Sequence, residues 1–166
     1  IQVAWLGFFA TTGVEAIDYI LADRWVLPPE EEGHFVEKPW RLPDAYYCCT
    51  PPEHTSPVGP LPALRNGHVT FGCFNNLAKI PDIVVACWSR ILQAVPGSRL
   101  FLKASPFAEA EVRALFEQRF AAHGVDPGRL ILETSSGRYA YFRSYRRVDL
   151  ALDPFPFPGG ATTVEG

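Results

Sequence analysis

HVTFGCFNNLAKIPDIVVACWSRILQAVPGSRLFLKA, residues 68–104, is the stretch that decides the fold. HVTFGCFN (68–75) is a strand-like run of β-branched and aromatic residues. Pro81 and Asp82 suit a first helical turn, and Val84, Val85, Trp88, Ile91 and Leu92 then recur at helical spacing. A Pro-Gly-Ser turn leads into a second strand, SRLFLKA (98–104). The unit reads strand, helix, strand.

Downstream the pattern repeats. FAEAEVRALFEQRFAAHG (107–124) predicts an amphipathic helix with an apolar stripe of Leu115, Phe116 and Phe120, closed by Gly124. Asp126-Pro127-Gly128 turns the chain into RLILET (129–134), a third strand. Residues 138–147 predict a short helix and VDLALD (148–153) a fourth strand. DPFPFPGGATTVEG (153–166) is then a loop that opens a helix near Ala161 or Thr162. Strands and helices alternating at these lengths predict an α/β fold, a parallel sheet with flanking helices and right-handed crossovers. Ligands in such sheets sit at the carboxyl ends of the strands.

Upstream the text is less regular. IQVAWLG (1–7) predicts a buried strand and FFATTG (8–13) a loop. VEAIDYILAD (14–23) predicts a helical turn followed by a short strand. Residues 27–44, rich in proline and acid, predict loop or a short helix around Glu30, Glu31 and Glu32, and AYYCCTP (45–51) a strand. The proline-rich stretch 51–68 reads as a linker between two folding units.

Composition narrows the function. A net charge of −3 gives no reason to expect a surface for nucleic acid. No apolar run approaches the ~20 residues of a membrane helix, and the first residues lack the basic region of a signal peptide. The 166 residues contain no Met, begin on a strand and end on a helix start, so the chain reads as a piece of a longer protein. Cys48, Cys49, Cys73 and Cys87 form no CxxC pair and no zinc spacing, which reads as free thiols in a reducing, cytoplasmic compartment. His34, His54, His68 and His123 have no partner spacing.

Two loops at strand ends carry chemistry. In the second, Gly159 and Gly160 let a ligand approach backbone N–H groups, and a helix opening there aims partial positive charge at the same place. With the Thr162 and Thr163 hydroxyls this suits a diphosphate. The same residues also suit an ordinary capping box, with Thr162 as N-cap and Glu165 three residues on. Glu165 is otherwise placed to accept from sugar hydroxyls. Asp153, before Pro154, suits strand termination. In the first loop, FNNLAK (74–79), Asn75 and Asn76 can pair with amide edges or hydroxyls. Lys79 can neutralise a departing diphosphate, or simply be a solvated lysine.

IQVAWLGFFATTG (1–13), TFGCFNNLAKI (70–80) and YRRVDLALDPFPFPGGATTVEG (145–166) together resemble the catalytic region of O-linked N-acetylglucosamine transferases. Their bacterial, tetratricopeptide-linked relatives, a group that includes the SPINDLY-type O-fucosyltransferases, are the nearer likeness. The resemblance implies a GT-B architecture of two Rossmann-like lobes, with a sugar nucleotide held mainly by the C-terminal lobe and no metal or other cofactor. Residues 1–60 would be the end of the N-terminal lobe with its linker, and 61–166 the first part of the C-terminal lobe. Lys79 would contact the diphosphate and support its departure. Asn76 stands where the animal enzymes carry a nucleotide-contacting glutamine, and the run from Gly160 to Thr162 where they carry His-Thr-Thr around the phosphates. Ala161 removes one hydroxyl from that run. Glu165 stands at a ribose-binding acid, Tyr141 at a uracil-stacking histidine, and Arg138 near a diphosphate-contacting lysine.

The implied activity is inverting transfer of N-acetylglucosamine from UDP to protein Ser or Thr hydroxyls, with tetratricopeptide repeats in the longer chain. The isolated 166 residues are expected to be inactive. GDP-fucose as donor, or a non-catalytic scaffold built on this fold, are the alternatives.

Overall fold

The computed structural model describes residues 1–7, 9–50 and 57–166. It divides into two compact units, Ile1–Thr50 and Pro51–Gly166.

The first unit holds a parallel sheet of three short strands, β1 (Val3–Ala4), β2 (Tyr19–Ala22) and β3 (Lys38–Arg41), in that spatial order. Ile20, Ala22 and Leu27 are buried, with Ala4, Phe9 and Phe35 packed against them. A 3-10 helix, Pro29–His34, opens on Pro29 and carries Glu30, Glu31 and Glu32 in its first turn, where carboxylates favour the helix dipole. The acid-rich stretch therefore forms the short helix expected of it.

Three expectations for this unit fail. The buried strand expected over 1–7 is confined to Val3–Ala4 and lies at the sheet edge, pairing only with β2, with Val3 exposed. The strand at Lys38–Arg41 replaces part of the expected loop. Its Pro39 lacks an N–H, which an edge strand pairing only with β2 tolerates. The strand expected at 45–51 does not form over 45–50; Pro51 lies outside the described residues. The backbone of Tyr46 is taken by side chains: its N–H donates to Asp23 Oδ2 at 2.9 Å and its carbonyl accepts from Trp5 Nε1 at 3.1 Å.

The second unit holds four parallel strands, β4 (Thr70–Cys73), β5 (Arg99–Lys103), β6 (Leu130–Glu133) and β7 (Leu150–Ala151), in the order β6-β5-β4-β7. A four-residue helix, α1 (Ala63–Asn66), precedes β4. The expected linker is thus structured in its second half. Asp149 ties it to the sheet, accepting from Ala63 N–H through Oδ1 and from Thr70 N–H through Oδ2, both at 2.8 Å. Residues 51–56 of that stretch lie outside the described residues.

Helix α2 (Asp82–Ala94) buries Val84, Val85, Trp88 and Leu92, the face its spacing predicts. It stops before Pro96, and Gly97 takes a positive φ of 76° in the turn to β5. The helix expected at 107–124 is divided. Ser105–Ala108 is a 3-10 turn, and α3 (Ala110–Ala121) follows. Phe116 and Phe120, four residues apart, share the buried face, but Leu115 is 52% exposed and leaves the stripe. Consecutive helical residues point about 100° apart, and the core meets only the Phe116 side. Helices α4 (Arg138–Tyr145) and α5 (Ala161–Glu165) complete the unit.

The core gathers Phe71, Trp88, Leu92, Leu100, Leu102 and Phe120 between the sheet and its helices. Inside β4, Gly72 sits so close to Val148 that a Cβ there would stand 2.4 Å from Val148 Cγ2. Among the described residues no helix is long and apolar enough to cross a membrane.

Candidate functional site

Because every strand of the second unit runs the same way, the segments leaving β4 and β7 emerge at one carboxyl edge. FNNLAK leaves β4, and DPFPFPGG follows β7. The structure joins them directly. Lys79 Nζ donates to the Pro158 carbonyl at 2.9 Å and stands 4.5 Å from the centre of the Phe157 ring. Lys79 is held at this position by a 3-10 turn, Leu77–Lys79, which Asn76 caps by accepting from Ala78 N–H at 3.0 Å.

The two consecutive asparagines have opposite fates. Asn76 is exposed and caps its own turn. Asn75 is buried and reaches the second loop: its Nδ2 donates to Asp153 Oδ1 at 3.3 Å, and its Oδ1 accepts from the Thr162 hydroxyl at 2.9 Å. Asp153 Oδ1 also accepts from Gly159 N–H at 2.7 Å, and Oδ2 from the Thr163 hydroxyl at 3.1 Å. The Tyr145 hydroxyl donates to the Thr162 carbonyl at 3.0 Å. Asp153 therefore does more than end its strand. With Asn75 and Tyr145 it fastens the loop at three points. The sequence marks Asn75 as able to pair with amide edges or hydroxyls and Asp153 as ending its strand, and it does not single out Tyr145. That the three together hold the loop is not legible there, because only the fold brings the ends of β4, β7 and α4 to one place.

The glycine turn has a corresponding shape. A Cβ on Gly159 would stand 2.2 Å from Thr163 Oγ1 and 2.9 Å from both side-chain heteroatoms of Asn75. Only glycine fits there. Helix α5 begins at Ala161 with Gly160 as its N-cap residue and no side-chain cap. Thr162 lies inside the helix, so the capping box expected from Thr162 and Glu165 does not form. The Gly160, Ala161 and Thr162 N–H groups find no acceptor among the described residues. The Thr162 and Thr163 hydroxyls, in contrast, are spent on Asn75 and Asp153.

Tyr141 lies half-buried in an aromatic cluster. Its ring is 5.8 Å from Phe74, and its hydroxyl is 3.0 Å from that of Tyr145. Burial pushes both phenols above their usual value. For Tyr145 the bond with Tyr141 adds to this, and the nearby Glu165 carboxylate pushes both phenols the same way. Glu165 thus belongs to the same cluster as Tyr141. Arg138, at the start of α4, stacks on Phe142 with 5.5 Å between guanidinium and ring.

At the carboxyl ends of β5 and β6, on the same edge, lies an open cavity of ≈ 660 Å³, lined among others by Lys103, Phe107, Leu132, Glu133 and Ser135. This is the size of a small-molecule site. The Lys103 ammonium is buried, 3.4 Å from Glu133 Oε2, while Arg147 donates to Glu133 Oε1 at 2.8 Å. Burial works against charge on Glu133, but Arg147 and Lys103 outweigh it and hold the carboxyl below its usual value. Among the described residues no three His, Cys, Asp or Glu side chains gather as a metal site.

A model of the glycosyl transferase family 41 domain matches residues 61–165, which includes every residue of this edge. The chain belongs to glycosyl transferase family 41. It is 43% identical over 166 residues to the probable UDP-N-acetylglucosamine–peptide N-acetylglucosaminyltransferase SPINDLY of Petunia hybrida, covering 99% of this chain and 18% of that one. It is 32% identical over 171 residues to the corresponding protein SEC of Arabidopsis thaliana, covering 98% and 17%. The structure of a lysine-to-methionine mutant of the Thermobaculum terrenum O-GlcNAc transferase superposes with a TM-score of 0.92 at 33% identity, covering 99% of this chain and 31% of that one. The α/β fold is therefore that of the GT-B O-GlcNAc transferases, as the resemblance implied. The family 41 chain spans about a fifth of its curated relatives' length.

Proposed function

We propose that the protein carrying this family 41 chain is an inverting glycosyltransferase that moves N-acetylglucosamine from UDP to Ser or Thr hydroxyls of proteins. One observation carries this reading: the Lys79 ammonium meets the neck of the glycine turn, at Pro158, on the carboxyl edge of a parallel sheet. In the reaction, the acceptor oxygen attacks the anomeric carbon from the face opposite the diphosphate, and the bond to the diphosphate oxygen breaks. Negative charge grows on the leaving group. A cation held at that place stabilises the transition state more than the ground state.

In this reading Lys79 faces the diphosphate, and the turn Gly159, Gly160, Thr162 and Thr163 surrounds it. Ligand-facing contacts there come from the backbone, since both threonine hydroxyls are engaged elsewhere. Asn76, Tyr141 and Glu165 border the nucleoside. The donor is a substrate, and no separate cofactor takes part. The whole protein works in the cytoplasm, with tetratricopeptide repeats to present acceptor proteins, and the 166 residues alone do not turn over.

Calorimetry on the full-length protein tests the reading. UDP binds, and Lys79→Ala weakens it. Tighter binding of GDP than UDP would reassign the donor to GDP-fucose. Absence of binding to either would make the domain a scaffold.

A further inference from the structure

A carboxylate beside a diphosphate site is unexpected, because like charges repel. Asp153 stands there nonetheless, with its charge spread over three donors of the protein itself: Gly159 N–H, the Thr163 hydroxyl and the Asn75 amide. Asn75 passes the contact on, accepting from the Thr162 hydroxyl. The residue that anchors Lys79, Pro158, is bonded in sequence to Gly159, the residue that Asp153 grips most closely, at 2.7 Å. Both Lys79 and Asn75 leave β4, while Asp153 and Pro158 follow β7. Two neighbouring strands are thus joined at one edge by two links, one of them charged on the Lys79 side and one on the Asp153 side.

We propose that Asp153 and Asn75 are positioning residues that fix the Pro158–Gly159 backbone and through it the placement of the Lys79 ammonium. Neither touches the ligand, since their polar atoms are committed to the loop; they act through Lys79 and through the turn amides they hold in place. The proposal rests on the reading of Lys79 as the diphosphate's counter-charge.

The test is a double-mutant cycle on the full-length protein, with UDP as the probe and calorimetry as the readout. Asp153→Asn keeps the shape of the side chain and loses the charge and one acceptor. It is expected to weaken UDP roughly tenfold in the parent and clearly less, by about threefold, in a Lys79→Ala background, where only the turn amides are left to misplace. An equal loss in both backgrounds would mean that Asp153 does not set the placement of Lys79 and would overturn the proposal, as would no loss in the parent. If Asp153→Asn does not fold, Thr163→Val, which deletes one of the three donors to that carboxylate, goes through the same cycle with the same two readings. UDP binding that is indifferent to Lys79 would overturn the functional reading itself, and this role with it. Such an outcome is seen in the single Lys79→Ala variant, before any change at Asp153, so the two failures are told apart.

Discussion

Lys79 and Pro158 stand 79 residues apart in sequence and 2.9 Å apart in space. That contact closes the gap between the ends of β4 and β7. It places the ammonium against a carbonyl, with the Phe157 ring face beside it. An ammonium has three N–H donors, so one bond to Pro158 leaves others for a ligand.

Removing that cation is expected to act on catalysis and hardly on folding. If the full-length protein turns over as proposed, Lys79→Met should lower kcat by about 10²–10³, as loss of one electrostatic stabiliser does. The melting temperature should move little, because exposed polar contacts contribute little. Steady-state kinetics beside a thermal melt check this. Unchanged kcat would remove Lys79 from the chemistry.

Gly159→Ala is expected to spread the clamp. The added methyl would meet Thr163 Oγ1 at 2.2 Å and Asn75 at 2.9 Å. Relief requires Asn75 or Thr163 to leave Asp153 or Thr162, and UDP affinity should fall by about tenfold or more, in line with overpacking costs of ~1–3 kcal/mol. Thr163→Ala in the same chain removes the closer clash and should restore part of the loss. Calorimetry on the single and double variants measures both.

Gly72→Ala probes the packing that lies behind the site. A methyl there would stand 2.4 Å and 2.8 Å from the two Val148 methyl carbons. Stability should drop by about 1–3 kcal/mol, and Val148→Ala should recover part of it. Urea unfolding, followed by fluorescence, provides the comparison. Additive losses would show that the two sites do not meet.

Glu37 makes the first unit sensitive to acid. It is buried and accepts from the Thr11 hydroxyl and from both the N–H and the hydroxyl of Thr12. Burial alone would raise its pKa, but the Thr12 and Thr11 bonds outweigh that and lower it from 4.5 to about 2. The unfolded chain therefore binds this proton more readily than the folded one between those values. Stability from Glu37 is complete above about pH 4.5 and is lost as pH falls through about 2. Denaturation of wild type and Glu37→Gln at pH 7 and pH 3 tests it: the wild type should lose stability between the two, and the variant should lose less. Equal losses would assign the acid sensitivity to other carboxylates.

Much of the second unit was legible because its signals are local. The spacing of Val84, Val85, Trp88 and Leu92 marks the buried face of α2 whatever surrounds it. Gly124, with φ of 75°, closes the α3 region as a glycine does. Where tertiary contacts decide, the local reading failed. Leu115 has the apolarity of its neighbour Phe116 but faces away from the core. Lys38–Arg41 carries a proline that argues against a strand, yet the sheet edge accepts it. Tyr46 and Tyr47 have strand propensity, but Asp23 and Trp5 take the Tyr46 backbone groups first.

From Thr70 onward the order of strands and helices, and the two loops that carry glycine, threonine and lysine, followed from the sequence alone, because hydrophobic period and turn chemistry act over a few residues. Which of two adjacent asparagines faces the loop, that a carboxylate holds the glycine turn, and that Tyr145 rather than Tyr141 bonds its carbonyl were decided only in three dimensions. Those partners lie 6 to 87 residues apart. Their pairing depends on how strands β4 and β7 come to lie side by side, and no local pattern in the chain encodes that distance.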